Sequence, residues 1–421
     1  MSVEIPESQR QLLHVFSQRK RPRTLPNSLA YTRLFFLIAG RVLKYTGHYI
    51  VGKSPKGQSY SVGCGVAMLQ PAEEYLNVHQ ARAFMRLGIW IMDSESGVRS
   101  EKEKAAIGIW VGGDGLGGTV EQSTNLVQVV GETPAAEPTP PAKTWKGFWV
   151  PYQNHGPDGP SAADKVEFVT NSAQKIGQGC DKVILFTHGG GFMDGNARMY
   201  LDIFRRWMTT AYDTHKIKIG FLSMEYSLSP ETPFPGALDE CIAAYKDLVG
   251  LHQLDPKNIF FGGDSAGANL AITIAIKIRD TLPGFPLPAG IISISPFMSF
   301  YEPFECSLYD YISPIGCQAF VEYYTQLQPE YLNSPHYSPL NATTLAGLPP
   351  TLVFVGGVEI FRQPIETFVE RAQRDGVEIT LEVGVGRSHD SLMVPQICPY
   401  KDISAGHEKI AAFMSAVSNA E

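Results

Sequence analysis

The chain has 421 residues, 44% of them hydrophobic and 18% charged, enough apolar material for a sizeable core in two domains or in one large, elaborated domain. A formal net charge of −7 removes any global reason to expect nucleic-acid binding, and six widely spaced cysteines without a CxxC pair or Cys/His spacing argue against a metal site. No stretch reaches the roughly 18 consecutive apolar residues of a membrane span, and the opening residues are too polar for a secretion signal. The expectation is an intracellular chain with reduced thiols, cytoplasmic or peripheral on an internal membrane and not secreted.

Charge is unevenly placed. Residues 8–72 hold ten Lys and Arg and no Asp or Glu, so this block carries +10 and the remainder −17. Within it, 27–52 has helical spacing, with Arg33, Arg41 and Lys44 on one arc and Phe35, Ile38, Val42, Leu43 and Tyr45 on the other. That pattern fits either a helix lying on a membrane surface or one packed over the body of the protein. Residues 1–140 read as an N-terminal elaboration, closed by a Pro/Ala-rich loop at 132–143. A G-x-G-x-x-G at Gly113, Gly115 and Gly118 lacks the following helix and distant acid of a dinucleotide site and reads as a turn.

From residue 145 the pattern becomes regular. Strands are expected at 145–152, 181–190, 218–226, 258–264, 289–297, 349–357 and 377–385. Helices are expected near 197–214, at 237–252, 266–280 and 365–376. Apolar strands alternating with helices predict an α/β fold, a mostly parallel central sheet covered on both faces, over 145–421.

Gly263-Asp264-Ser265-Ala266-Gly267 is a G-x-S-x-G between a predicted strand and a predicted helix. Such a turn lifts the serine oxygen clear of the sheet, above a helix N-terminus that favours developing negative charge. A serine nucleophile also needs oxyanion donors, a base and an acid to orient the base. His188-Gly189-Gly190-Gly191, after the strand VILFT, supplies flexible backbone N–H groups, and Gly189, Gly190 and Ala266 are the candidate oxyanion donors. Glu359 in VGGVEIF is the candidate acid. His389 in GRSHDS, after the last strand, is the candidate base. Phe192, Met193 and Tyr226 are candidate walls of an apolar substrate pocket, with core packing as the competing role for each. Asp390 is a rival acid, disfavoured because sequence neighbours seldom present side chains to each other.

These motifs carry a family resemblance. HGGGF at 188–192, YSLSPETPFPGALDEC at 226–241 and GDSAGANL at 263–270, with Glu359 and His389 in matching positions, resemble α/β-hydrolases of the hormone-sensitive-lipase-like group over about 145–415. The resemblance implies a serine esterase or lipase without metal or organic cofactor. It implies a helical cap over the site, to which residues 1–140 would contribute. The long extension and glutamate acid are similar to those of fungal hydrolases of steryl acetates and secondary metabolites. Two departures stand out. The usual Asp-Pro-Leu-x-Asp at the acid is replaced by Glu359-Ile360-Phe361-Arg362-Gln363, and the usual His-Gly-Phe by His389-Asp390-Ser391. The plant gibberellin receptor, which resembles this family but binds without hydrolysing, lacks the histidine retained here.

The resulting expectation is a small-molecule ester substrate, short-acyl or acetyl, cleaved through an acyl-enzyme. An acyltransferase, a biosynthetic lyase or cyclase, or a non-catalytic binding protein would use the same framework. The partners expected are the small molecule, no nucleic acid, and a peripheral membrane contact through 27–52, with a homodimer left open.

Overall fold

The computed structural model describes residues 38, 41–46, 48–51, 53, 127–131, 145–152, 176–298, 308–395, 397–398 and 400–418. The sheet strands are β1 (Val127–Gly131), β2 (Trp145–Val150), β3 (Lys182–Thr187), β4 (Ile219–Met224), β5 (Ile259–Asp264), β6 (Gly290–Ile294), β7 (Thr351–Gly356) and β8 (Ile379–Gly384). They lie in the order β1-β2-β4-β3-β5-β6-β7-β8. The β1–β2 and β2–β4 pairs are antiparallel, and every pair from β4 to β8 is parallel. The parallel strands β3 to β7 are buried at every position, as a sheet covered on both faces requires.

The main helices are α1 (Leu201–His215), α2 (Gly236–Gly250), α3 (Ser265–Thr281), α4 (Pro314–Thr325), α5 (Arg362–Arg374) and α6 (Tyr400–Ser418). On one face, α1 and α6 pack over Ile184, Phe186, Phe221, Phe260, Ile292 and Leu352. On the other, α2, α3, α4 and α5 bury Leu185, Leu222, Phe261, Ile291 and Val353. The alternation of these side chains along each strand is the period-2 pattern that sends neighbours to opposite faces. The two cores clamp β5 and β6, so the carboxyl ends of the central strands form a rigid platform. Ligands of open α/β sheets bind at such ends.

Each of the expected strands is present, trimmed by one to three residues at its ends. Among the main elements named above, three were not expected. Helices α4 and α6 follow loops with little periodic signal before them. Strand β1 falls inside the segment read as the N-terminal elaboration, yet its backbone pairs with β2, so the catalytic sheet begins before residue 145. The Pro/Ala-rich loop and the Gly113–Gly118 turn lie outside the described residues.

Part of the basic amphipathic segment is described, and residues 41–46 and 48–50 are helical. Tyr45 is fully buried and meets the Tyr309 ring edge-on at 6.3 Å. His48 Nδ1 lies 3.0 Å from the Tyr309 hydroxyl, which donates to Lys53 O at 2.7 Å. The helix is thus docked on the body, just before Asp310. Leu43, placed on the apolar arc from sequence, is instead 72% exposed, beside exposed Lys44. Arg33 and Phe35 lie outside the described residues. No described helix is long and apolar enough to cross a membrane. Of the six cysteines, Cys180, Cys241, Cys317 and Cys398 are described and all are free thiols.

Candidate active site

The site begins with local backbone chemistry. Strand β5 ends in Gly262-Gly263-Asp264, and α3 starts at Ser265 itself. Ser265 has φ +51°, a left-handed conformation that costs a non-glycine residue about 1–3 kcal/mol and persists only where the surroundings impose it. The imposition is visible at the flanking glycines. A Cβ on Gly267 would sit 2.0 Å from Thr187 O, and one on Gly263 would sit 2.5 Å from Gly267 O. Thr187 Oγ1 donates to Gly267 O at 2.7 Å, which fastens the elbow to the end of β3. The serine is held above the first turn of α3, where helix N–H groups have no intrahelical acceptor.

The structure brings the three candidate catalytic side chains together from three loops. His389 Nε2 is 2.9 Å from Ser265 Oγ. On the opposite ring edge, His389 Nδ1 is 3.9 Å from Glu359 Oε1, and neither atom has a hydrogen-bond partner among the described residues. The other oxygen of Glu359 is fixed: Oε2 accepts from Gly356 N and from Ser295 Oγ, each at 2.7 Å. The glutamate is therefore anchored by one oxygen and aims the other at the imidazole. The rings of Phe361 and Tyr311 stand edge-on to the imidazole, at 5.0 and 5.7 Å, and exclude water from it.

Two further carboxylates surround the histidine. Asp310, fully buried, accepts from the backbone N–H of His389 at 3.0 Å and of Ile360 at 2.7 Å. It ties the loop carrying the acid to the loop carrying the base. Burial pushes its pKa up to about 6, and the Glu359 charge adds to this, while His389 and the two N–H groups oppose it. Sequence reasoning missed Asp310, because nothing in the loop Tyr309-Asp310-Tyr311 marks it. Asp390 was disfavoured as a neighbour of the histidine. Its Oδ2 in fact lies 3.1 Å from His389 Nε2, because φ at Asp390 is +48° and the left-handed turn folds its side chain back beside the ring. Burial opposes charge on His389, but Asp390 and then Glu359 more than offset it and hold the imidazole well above the ordinary histidine range.

The glycine loop departs from one expectation. The N–H of Gly189 donates to Asp264 Oδ1 at 3.0 Å and so is spent on the scaffold, not free for an oxyanion. A Cβ there would lie 2.3 Å from Asp264 Oδ2. Asp264 also accepts from the Tyr200 hydroxyl at 2.6 Å, which makes this motif aspartate the post that holds the loop. Among the described residues, no acceptor takes the N–H of Gly190 or Gly191. Both have positive φ, +113° and +61°, and a Cβ on Gly190 would strike Asp194 O at 2.2 Å.

The candidate pocket residues are scaffold in two of three cases. Phe192 is buried and stacked on Tyr324, centroids 3.8 Å apart, and its carbonyl accepts from Ser229 N and Oγ. Tyr226 is stacked on His188 at 4.2 Å and donates to His188 O at 2.6 Å. That histidine is buried, its pKa driven down to about 4, and it is neutral packing for the loop. Met193 is buried at the same turn.

A sheet of this order, with a strained serine at the β5–α3 turn and an imidazole at its hydroxyl, defines the α/β-hydrolase class. The model of a family described by its α/β-hydrolase fold matches residues 184–393, which span the glycine loop, the serine and the histidine. An esterase of Acinetobacter venetianus is 31% identical over 212 residues, 49% of this chain and 66% of that protein. An acetyl-hydrolase of Streptomyces hygroscopicus is 27% identical over 208 residues, 48% of this chain and 65% of that protein. The hormone-sensitive lipase of Mus musculus is 33% identical over 120 residues, 27% of this chain and 14% of that protein. The solved structure of a hormone-sensitive lipase from a metagenome library shares the fold, with TM-score 0.57 and 22% identity over 84% of this chain and 97% of that one. The chain has the α/β-hydrolase fold and is similar to the hormone-sensitive-lipase-like group of these enzymes. The matched region spans 66% of the esterase and 65% of the acetyl-hydrolase.

Proposed function

We propose that this chain is a serine hydrolase of carboxylic esters, with Ser265 as nucleophile, His389 as general base and Glu359 as the orienting acid. The observation that carries the reading is the 2.9 Å approach of His389 Nε2 to a serine held in a strained elbow at a helix N-terminus. His389 takes the hydroxyl proton as Ser265 attacks the ester carbonyl, and an acyl-enzyme forms as the alcohol leaves with that proton. Water then enters, His389 activates it, and the acid is released. The anchored Glu359 closes on Nδ1–H as the imidazole becomes charged, because an ion pair gains most when positive charge develops there. Gly190, Gly191 and Ala266 supply the oxyanion hole. Gly191 replaces Gly189 in that role, since the Gly189 N–H is bound to Asp264.

A short-acyl or acetyl ester is the substrate class proposed. The names of the esterase and acetyl-hydrolase relatives support it, as does a nucleophile only 7% exposed beneath its loops. The test is hydrolysis of p-nitrophenyl esters from acetate to palmitate by wild type and Ser265→Ala. A short-chain preference that vanishes in the variant is expected. Turnover that persists in Ser265→Ala would remove Ser265 from the reaction, and no turnover by folded wild type would favour a non-hydrolytic or binding role.

A further inference from the structure

The imidazole of His389 is gripped from both edges. Glu359 Oε1 faces Nδ1 at 3.9 Å, and Asp390 Oδ2 faces Nε2 at 3.1 Å. Nε2 is also the atom that must accept the serine proton, and Ser265 Oγ stands 2.9 Å from it. One nitrogen with one lone pair, or one N–H, cannot serve both oxygens fully. When Nε2 is bare, a carboxylate beside it meets a lone pair and is repelled. When Nε2 carries a proton, the same carboxylate forms a charge-assisted bond, the stronger kind. The geometry therefore favours the protonated ring, which is the wrong form for a base.

The backbone that carries Asp390 is held on both sides. Its N–H donates to Ser295 Oγ at 3.1 Å, and its carbonyl accepts from Met393 N at 2.8 Å and Val394 N at 3.1 Å. The left-handed φ at this residue is set by those bonds. The departure from the family's His-Gly-Phe therefore introduces a carboxyl group, on a held backbone, beside the reacting nitrogen.

We propose that Asp390 is a positioning residue that holds the Nε2 edge of His389 in competition with Ser265, so that the resting enzyme keeps its base protonated and becomes competent as pH rises. The assignment rests on the ester-hydrolase reading for its meaning, although the ion pair itself does not. The groups facing the imidazole are Glu359 from the loop after β7, Asp310 from the loop before α4, Asp264 from the end of β5, and Asp390. The nearby Arg387 is paired to Asp402 through Nε at 2.8 Å. The direction of the histidine shift described above agrees with this balance: burial alone would lower it, and the Asp390 charge is the strongest influence raising it.

The experiment is an NMR pH titration of the His389 imidazole in wild type, Asp390→Asn and Asp390→Gly, with the resonance assigned by its loss in His389→Gln. Asparagine and glycine both tolerate the left-handed backbone, so the turn survives. The expected result is a midpoint lowered by about one pH unit or more in both variants. The acid limb of kcat/KM should follow it, giving roughly tenfold higher relative activity below both midpoints. A residue that merely supported the loop would change the rate without moving the midpoint. A midpoint within about half a unit of wild type in either variant overturns the proposal. The titration needs no turnover, so failure of the ester assay would count against the hydrolase reading and leave this test standing.

Discussion

Replacing Glu359 by glutamine offers a sharp test of the acid, because the structure dictates how the amide must sit. Oε2 of Glu359 accepts from Gly356 N and Ser295 Oγ, both at 2.7 Å. In Glu359→Gln the amide oxygen must take that place. The flipped rotamer would set the NH2 group against two donors, at about 1–3 kcal/mol for each buried group left unsatisfied. The NH2 group is thereby forced toward His389 Nδ1, where it can donate but not accept. The imidazole responds by carrying its proton on Nε2, the nitrogen that should receive the serine proton. Trapping the wrong tautomer in a serine triad lowers kcat by roughly 10⁴-fold, about 5.5 kcal/mol of transition-state stabilisation. The assay is kcat/KM on a p-nitrophenyl ester, with circular dichroism to confirm that the variant is folded. A variant within about tenfold of wild type would refute the reasoning and move the orienting role to Asp310 or Asp390.

Three further outcomes follow from the same geometry. Gly267→Ala places a Cβ 2.0 Å from Thr187 O and 2.5 Å from His188 O, both backbone atoms, so it should cost about 3 kcal/mol or more and sharply reduce soluble yield; a normal melting temperature would contradict the close approach. Tyr200→Phe removes the hydroxyl that donates to Asp264 Oδ2 in full burial, so it should cost about 1–3 kcal/mol by thermal melting, and an unchanged melt would mean that another donor replaces it. His407, buried against Trp207, has its pKa driven down to about 3 by burial, with Arg206 adding to it. The fold favours the neutral ring, so its contribution is intact above about pH 6.5 and declines as pH falls toward 3, by about 2 kcal/mol at pH 5. His407→Phe should therefore lose less stability than wild type between pH 7.5 and 5, and parallel losses would contradict the burial argument.

What sequence could tell follows how local each feature is. The elbow is local: Gly263 and Gly267 flank Ser265 within five residues, and the strand and helix around it have their own periodicity. Glu359 and His389 were also legible as candidates, because ligands gather where strands end and each follows a strand with a recognisable pattern. Helices α4 and α6 were less legible because loops without periodicity precede them. Strand β1 was assigned to the extension because its pairing partner, β2, lies across a proline-rich loop.

The remaining features are decided by contacts between distant segments. The N–H of Gly189 looked free in sequence, yet Asp264, 75 residues away, takes it. Between pocket wall and core packing, sequence left Phe192 and Tyr226 open until α4 supplied Tyr324 and the glycine loop supplied His188 as stacking partners. Asp310 bridges the acid and base loops through backbone N–H groups that no side-chain pattern advertises. The sequence by itself marked the family motifs, the serine elbow and the order in which Ser265, Glu359 and His389, the proposed triad, are strung along the chain. Only the tertiary structure decided which N–H groups remain open to an oxyanion and that two carboxylates, not one, grip the imidazole. The physical reason is that hydrogen bonds are directional over about 3 Å, and whether a donor is spent depends on an acceptor that the chain brings back from far away.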